Sequence, residues 1–203
     1  MRTRRPLRIC LAVAVLSSLV RPVPGSAQTM AAPAGAAPQD STLQRDGQHD
    51  FDFMIGTWKV YLKRLTHPLT TDTAWVEYTG KSVVRPIWGG RANLDEFTVD
   101  NPATHAHIEG LTLRLYDPGS RRWSLYWANA RNGTLALPAT VGGFTHGRGE
   151  FYDQEDFQGR PILVRYLWFD ITATSARFEQ AFSADSGRTW QPNWISTITR
   201  VKE

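Results

Sequence analysis

Hydrophobic and polar residues alternate along most of the chain after residue 50, in short runs of the kind that form β-strands. Trp58, Val60 and Leu62 share one face of the first run, because successive side chains of a strand point to opposite faces. Two later runs repeat this spacing, with Leu111, Leu113 and Leu115 in one and Trp123, Leu125 and Trp127 in the other. Further strands are predicted near residues 73–84, 91–99, 144–152, 161–170, 176–184 and 190–202.

Prolines interrupt the same region at short intervals and leave little room for a long helix. They are Pro68, Pro86, Pro102, Pro118, Pro138, Pro161 and Pro192. About nine or ten antiparallel strands with short connections predict an all-β fold, a meandering barrel. Residues 49–55 precede the first strand and are predicted to form a short helical cap on it.

The two ends of the strand-rich region are predicted to meet and close the barrel. Gly56 and Trp58 begin the first strand, and Arg200 ends the last one. A guanidinium group can lie flat over an indole ring, so Arg200 is expected to cover Trp58. If Trp58 points inward, the period of two places four residues of the last strand inward as well: Arg200, Ile198, Ser196 and Trp194.

Residues 183–190 match the pattern S-x-D-x-G-x-x-W of the Asp box, a hairpin motif of sialidase-like proteins. Asp185 is expected to accept hydrogen bonds from the turn, Gly187 to provide an unusual backbone angle, and Trp190 to pack back on the hairpin. These are structural roles, and none of them requires a substrate.

The N-terminus predicts export. Four arginines between residues 2 and 8 precede an apolar run of about a dozen residues, and small residues follow at 25–27, as in a secretory signal peptide. We therefore expect residues 1–27 to be a signal peptide, 28–48 a disordered linker without aromatic residues, and 49–203 one domain. The mature protein is expected in the periplasm or outside the cell, and no other stretch approaches the roughly 20 apolar residues of a membrane-spanning helix.

Removal of the signal peptide changes the charge of the protein. The chain has 23 basic and 19 acidic residues, but five arginines lie within residues 1–27, which contain no acid. The remainder has 18 basic against 19 acidic residues, so its net charge is −1. This removes the compositional case for nucleic-acid binding. Cys10, the single cysteine, leaves with the signal peptide, so the domain depends on its core rather than on disulfides.

Four segments together resemble a known bacterial family, which is mostly exported and is called domain of unknown function 1579. They are FDFMIGTWKV, LDEFTVD, GRGEFY and FEQAFSADSGRTWQPNW. The resemblance covers nearly all of residues 49–203. It implies a lipocalin-like barrel of the calycin type, and it brings no activity with it.

Some charged residues lie within predicted strands, where they are either paired, solvated or part of a pocket. They are Glu96, Arg114, His146, Arg148, Glu150, Arg165 and Glu179. His146, Arg148 and Glu150 share one face of their predicted strand, which sets a base, an anion binder and an acid in a row. His146 and Glu150 are therefore candidate catalytic residues, with ordinary cross-strand pairing as the alternative.

A second cluster stands before a predicted tight turn at Asn132-Gly133. The turn places Trp127 and Asn129 near one rim of the barrel, where an aromatic ring and an amide can hold a planar or sugar-like ligand. Trp127 is equally compatible with a place in the core. The candidate ligand-binding residues are Trp127, Asn129, Arg148 and Glu150, with Arg148 expected to bind an anionic group.

No metal ion or other cofactor is expected. His105 and His107 have no third histidine or cysteine nearby that would complete a metal site. His146 is the only histidine in a predicted strand that suits an axial haem ligand, and no haem motif surrounds it.

Three functions remain open at this point. The first is an exported protein that binds a small hydrophobic or amphipathic molecule. The second is a barrel enzyme, a hydrolase or isomerase that uses His146, Arg148 and Glu150. The third is an envelope interaction protein with a filled barrel. A cavity of several hundred Å³ with a few convergent polar groups would favour the first two.

Overall fold

The computed structural model describes residues 46–202, and in this range ten strands form a closed antiparallel barrel. Each strand pairs with its neighbours in sequence, and the first also pairs with the last. This confirms the all-β meandering fold. The predicted signal peptide, and the linker up to residue 45, lie outside the described residues. The strands are β1 (Gly56–Leu65), β2 (Trp75–Ile87), β3 (Ala92–Asp100), β4 (His107–Asp117), β5 (Arg122–Asn129), β6 (Thr140–Thr145), β7 (Arg148–Phe157), β8 (Arg160–Phe169), β9 (Ser175–Ser183) and β10 (Gln191–Arg200).

A 3-10 turn, Asp52–Met54, caps one end of the barrel, as predicted, and a second one, Trp88–Gly90, connects β2 to β3. The preceding residue, Phe51, is buried, and its ring meets a cluster of aromatic rings inside the barrel. The ring centroids lie 4.9 Å away for Phe144, 5.1 Å for Trp123 and 5.6 Å for Phe151. This end of the barrel is therefore filled by side chains.

Trp58 and Arg200 meet where β1 pairs with β10. The Arg200 guanidinium lies 4.2 Å from the centroid of the Trp58 ring, and its two terminal nitrogens donate to the carbonyls of Phe53 and Ile55 at 2.6 and 2.7 Å. Gly56 has a φ of +118°, and a Cβ there would lie 2.7 Å from Arg200 Nη1. Arg200 thus ties the cap to the end of the barrel.

In β4 the charged residue faces the barrel interior and the leucines face outward, which is the reverse of the usual arrangement of apolar residues inside and charged residues outside. Its three leucines face outward and are half-buried, while Arg114 between them points into the barrel and is 2% exposed. The register decides this, because Arg114 pairs with Asn93 and Leu125, which both face inward and are buried. A period of two separates two faces but does not tell which one is the interior.

The predicted strand at 144–152 is wrong, since a turn divides it. His146 and Gly147 have φ angles of +50° and +76° and connect β6 to β7 as a tight hairpin. Positive φ at both central positions is the geometry of a type I′ turn, whose twist suits an antiparallel pair. His146 is therefore exposed in a turn and does not lie on a strand.

The Asp box forms the hairpin between β9 and β10. Asp185 accepts a hydrogen bond from the backbone nitrogen of Thr189 at 2.9 Å and from its hydroxyl at 2.7 Å. The hydrogen bonds from Thr189, and a further one from Ser183, lower the pKa of Asp185 to about 2. Gly187 has a φ of +85°, and its carbonyl accepts from Trp190 Nε1 at 3.1 Å. All of these contacts stabilise the turn itself.

Candidate ligand cavity

The barrel interior contains a cavity of about 550 Å³. It begins beside Met54 and Trp168 near the capped end and extends to the other end, where Arg64 and Gln158 line it. This volume is in the range of small-molecule pockets. The interior is not filled, which argues against the interpretation of a packed barrel. Aromatic side chains line much of the cavity: Phe97, Trp127, Phe157, Tyr166, Trp168, Phe178, Phe182 and Trp194.

A buried ion pair lies in the wall of the cavity. Arg114 Nη2 and Asp95 Oδ2 are 2.7 Å apart, with side chains 3% and 7% exposed. The Ser82 hydroxyl donates to the other Asp95 oxygen at 2.5 Å, and Arg114 Nη1 donates to Asn93 Oδ1 at 2.9 Å. The Arg114 guanidinium also lies 5.1 Å from the centroid of the Phe51 ring. Arg114 thus joins the polar wall to the aromatic cluster under the cap, and Asp95 neutralises its charge.

Two carboxylates face inward from β7. Thr140 Oγ1 donates to Asp153 Oδ2 at 2.6 Å, whereas Asp153 Oδ1 has no hydrogen-bond partner among the described residues. Glu155 lines the cavity directly. Burial, together with the neighbouring charge of Asp153, raises the pKa of Glu155 to about 6. Burial also raises the pKa of Asp153.

Tyr166 of β8 lies in the same region of the cavity wall. Burial raises the pKa of its phenol, and the charges of Glu155 and Asp153 raise it further. Its ring packs at 5.3 Å, between centroids, on that of Phe178. The phenol is therefore a neutral hydrogen-bonding group beside the two carboxylates.

An amide pair lines the cavity from β9 and β10. Gln180 Nε2 donates to Asn193 Oδ1 at 2.7 Å. The Asn193 side chain is 3% exposed, and its Nδ2 has no hydrogen-bond partner among the described residues. A β-bulge at Asn193, between Pro192 and Trp194, interrupts the pairing of β9 with β10. Bulges of this kind often redirect a side chain beside a functional site.

Of the predicted ligand-binding residues, Trp127 and Asn129 line this cavity from β5. Trp127 is half-buried, and its ring centroid lies 5.9 Å from that of Phe97 and 6.4 Å from that of Trp194. Gly110 on β4 makes room for it, since a Cβ there would lie 2.6 Å from the indole. Trp127 is thus both an interior residue and a part of the cavity wall.

Arg148 and Glu150 lie elsewhere, on the outer face of β7 near the capped end. Arg148 Nε donates to Glu150 Oε1 at 2.8 Å, and the Tyr152 hydroxyl donates to Glu150 Oε2 at 3.0 Å. The hydrogen bond from Arg148 lowers the pKa of Glu150. The expectation that Arg148 and Glu150 share one pocket with Trp127 and Asn129 is therefore wrong.

The predicted row of His146, Arg148 and Glu150 is also not formed as expected. The three residues line an external groove of about 790 Å³, but His146 occupies the turn and Arg148 is paired with Glu150. The side chains of His146, Arg148 and Glu150 therefore do not converge in an enclosed active-site pocket. The suggested catalytic roles of His146 and Glu150 stay predictions. Within residues 46–202, no group of three histidine, cysteine or acidic side chains is arranged to hold a metal ion.

The sequence interpretation overlooked Asp153 and Glu155, although it contained a signal for them. Phe151 and Phe157 lie on the same face of β7 as the two acids, at a spacing of two residues. Two carboxylates between two phenylalanines on one strand face indicate an acidic group held inside an apolar interior. The candidate site was instead predicted on the outer face of β7, because the charged residues Arg148 and Glu150 lie close to His146 in sequence.

No family model matches the sequence, and no curated protein matches it significantly. Solved structures with a similar fold include the following two. Rv2717c from M. tuberculosis has a TM-score of 0.53 at 13% identity, covering 77% of this chain and 98% of its own. The S-type phycobiliprotein lyase CPES from Guillardia theta has a TM-score of 0.52 at 12% identity, covering 82% of this chain and 99% of its own. Both support the lipocalin-like barrel, and at such low identity they show the fold alone.

No helix among residues 46–202 is long and apolar enough to cross a membrane.

Proposed function

We propose that this protein is an exported binding protein for a small amphipathic molecule, which it holds inside the barrel. The observation that carries the proposal is the cavity of about 550 Å³, whose lining combines aromatic rings with a few polar groups. Ligand pockets typically have this composition, with apolar walls for affinity and few polar groups for orientation.

The two kinds of lining suit a ligand with two kinds of surface. Phe97, Trp127 and Trp194 form a connected aromatic group, with ring centroids 5.9 to 6.4 Å apart. A planar apolar ligand can pack against such rings through offset or edge-to-face contacts. Asn129 and Glu155 also line the cavity and offer hydrogen bonds to a polar part of the ligand.

Export is the part of the proposal that rests on the N-terminal sequence. The apolar run and the small residues before Gln28 predict cleavage after Ala27. Intact-mass measurement on protein from its native host tests this, and the expected species begins at Gln28. A dominant species that retains residues 1–27 would contradict export by this route.

The binding function is tested on protein purified from its native host, by native mass spectrometry followed by extraction of any bound molecule. Thr112→Trp fills the cavity, because Thr112 is a half-buried residue of its lining. We expect this variant to lose the bound mass and the ligand-induced quenching of tryptophan fluorescence. Thr79→Trp is the matched control, since Thr79 is exposed on the outer face of β2.

The two variants distinguish binding inside the barrel from binding at its outer surface. If Thr79→Trp keeps the ligand and Thr112→Trp loses it, the ligand lies inside the barrel. Equal ligand content in both variants and the wild type would place the ligand on the outside. If nothing co-purifies and broad ligand screening leaves the fluorescence unchanged, the proposed function is wrong.

A further inference from the structure

Two carboxylates point inward from β7, those of Asp153 and Glu155, and neither has a cationic partner among residues 46–202. The Glu155 side chain makes no hydrogen bond or ion pair with any residue in the range 46–202, and the Asp153 side chain is held only by the Thr140 hydroxyl. A buried carboxylate without a partner is unfavourable, because burial removes its hydration. The fold therefore retains two acidic groups beside a cavity without neutralising them.

The basic residues that line the cavity are either paired with other acids or exposed. Asp95 pairs with Arg114 at 2.7 Å, and Asp72 pairs with His67 at 2.6 Å. Arg64 is exposed at the open end, where its guanidinium lies 6.0 Å from the centroid of the Trp194 ring. None of the three basic residues, Arg114, His67 and Arg64, is among the groups that shift the pKa of Glu155. An anionic ligand would thus meet the unpaired Glu155 carboxylate, an arginine that is already paired with Asp95, and one exposed arginine.

A second observation points independently to a missing ligand. The Asn193 side chain lines the cavity at 3% exposure, and its Nδ2 lacks a hydrogen-bond partner among the described residues. Unsatisfied donors are rare in folded interiors, since each one is destabilising. Arg114 Nε and Trp168 Nε1, on two other residues of the lining, are also unsatisfied in this range. The polar part of the cavity is therefore incomplete in the protein alone.

The aromatic lining favours a positive charge as well. The faces of tryptophan and phenylalanine rings carry negative partial charge and attract cations, most strongly away from water. Phe157 neighbours Glu155 on the same face of β7, and Trp127 and Trp194 line the same cavity. Aromatic rings combined with an unpaired carboxylate are typical of sites for organic ammonium groups.

We infer that the cavity takes an aromatic amphipathic molecule with a protonated nitrogen, an arylalkylamine or a heteroaromatic cation, whose charge the Glu155 carboxylate binds. The inference rests on the proposed binding function and narrows its ligand class. An acceptor oxygen on the same molecule would match the free amide nitrogen of Asn193. A cationic ligand is the opposite of the sequence-based expectation, in which Arg148 binds an anionic group.

The affinity for a cation should depend on pH. Glu155 is half-buried, and among the described residues the titratable groups that interact electrostatically with it are Asp153 on β7 and Tyr166 on β8. The other charged or titratable side chains that line the cavity are Arg64, His67, Asp95 and Arg114. As the pH rises through about 6, Glu155 loses its proton and gains the charge that attracts the ligand. Alkylammonium probes stay protonated throughout this range.

The test uses three probes with the same aromatic body: naphthylmethylamine, naphthalenemethanol and naphthoate. Binding to the mature wild-type protein is measured by isothermal titration calorimetry at about pH 8 and about pH 5, on either side of the Glu155 titration. We expect the amine to bind about tenfold or more tighter than the alcohol at the higher pH, from one charged hydrogen bond. The preference should fall at the lower pH, and naphthoate should bind most weakly.

Glu155→Gln keeps the shape of the side chain and removes its charge. We expect it to abolish the preference for the amine at both pH values, so that the amine binds no more tightly than the alcohol. Glu96→Gln is the matched control, because Glu96 is exposed on the outer face of β3, in an ion pair with Arg85. This control should keep the preference for the amine.

The outcomes separate this inference from the function on which it rests. Equal affinity for amine and alcohol, a preference for naphthoate, or an unchanged preference in Glu155→Gln would overturn the cationic ligand and leave a binding cavity in place. If Thr112→Trp fails to abolish amine binding, the amine binds outside the barrel and the inference is wrong. Absence of binding by all three probes would count against both.

Discussion

The two ends of the barrel have opposite compositions inside. At the capped end, Phe51, Trp58 and Trp123 are at most 1% exposed, and their rings lie within one continuous cluster. Toward the other end, Phe97, Trp127 and Trp194 are only half-buried and line a cavity. The same residue types thus fill one end and leave the other open.

This contrast separates stability from binding along the barrel axis. Fully buried aromatic rings stabilise the fold through burial and dense packing. Half-buried rings beside a cavity contribute less, and they keep surface available for a ligand. Arg114 and Asp95 lie between the two regions, since Arg114 contacts Phe51 beneath the cap and also lines the cavity.

The largest expected effect is at the capped end. Trp58→Ala should destabilise the protein by about 3 to 5 kcal/mol through the cavity that it leaves, and Arg200→Ala by less. The two effects should not add, because the guanidinium lies 4.2 Å from the ring centroid. A double-mutant cycle by urea denaturation measures this coupling. Simple additivity would show that the stacking of the two side chains contributes nothing to stability.

The next largest loss of stability is expected at the Arg114–Asp95 ion pair, which lies between the capped end and the cavity. Arg114→Ala leaves Asp95 buried without its cation and should destabilise the protein by about 3 kcal/mol. The double variant Asp95→Asn with Arg114→Met should recover much of this loss, because no unpaired charge remains. Thermal or urea unfolding of both variants tests the idea. A double variant as unstable as Arg114→Ala would mean that the pair acts through shape rather than charge.

A smaller effect is expected at the open end. Trp194→Ala removes a half-buried ring from the cavity wall and should destabilise by about 1 to 2 kcal/mol, in proportion to the area that is lost. The same variant should weaken ligand binding measurably. Comparison of its unfolding free energy with that of Trp58→Ala is the direct test of the contrast. Equal losses would show that the open end is as important for stability as the capped end.

The smallest expected change in stability is an increase, and it concerns Glu155. The folded-state pKa of Glu155 is raised to about 6, so its contribution to stability is fully present below its ordinary pKa and is lost as the pH rises through about 6. Glu155→Gln should therefore stabilise the ligand-free protein above this pH, by about 1 kcal/mol once solvent screening is allowed for. Below about pH 4 the two proteins should unfold alike. Urea titrations at several pH values measure the difference in unfolding free energy between Glu155→Gln and the wild type. A stabilisation that does not change with pH would exclude the carboxylate charge as its cause.

The alternation of residue types was sufficient for the fold class and for several strand faces. A period of two from Arg200 places Ile198, Ser196 and Trp194 on one face, and the structure has them inside the barrel with Trp58. This works because strand geometry is local and the pattern is fixed by adjacent residues. Likewise, the hydrogen bonds of the Asp box all lie within eight residues of sequence.

The candidate site depended on contacts between distant strands, which alternation does not specify. Arg114 is stable inside the barrel because Asp95, on a different strand, faces it there. On β7 both faces carry charges, and the pairing with β6 and β8 puts Asp153 and Glu155 inside and Arg148 and Glu150 outside. The sequence by itself therefore determined a barrel with two kinds of strand face. Only closure of the barrel decided which charges share its interior, because burial of a charge depends on partners that the chain brings together from far apart.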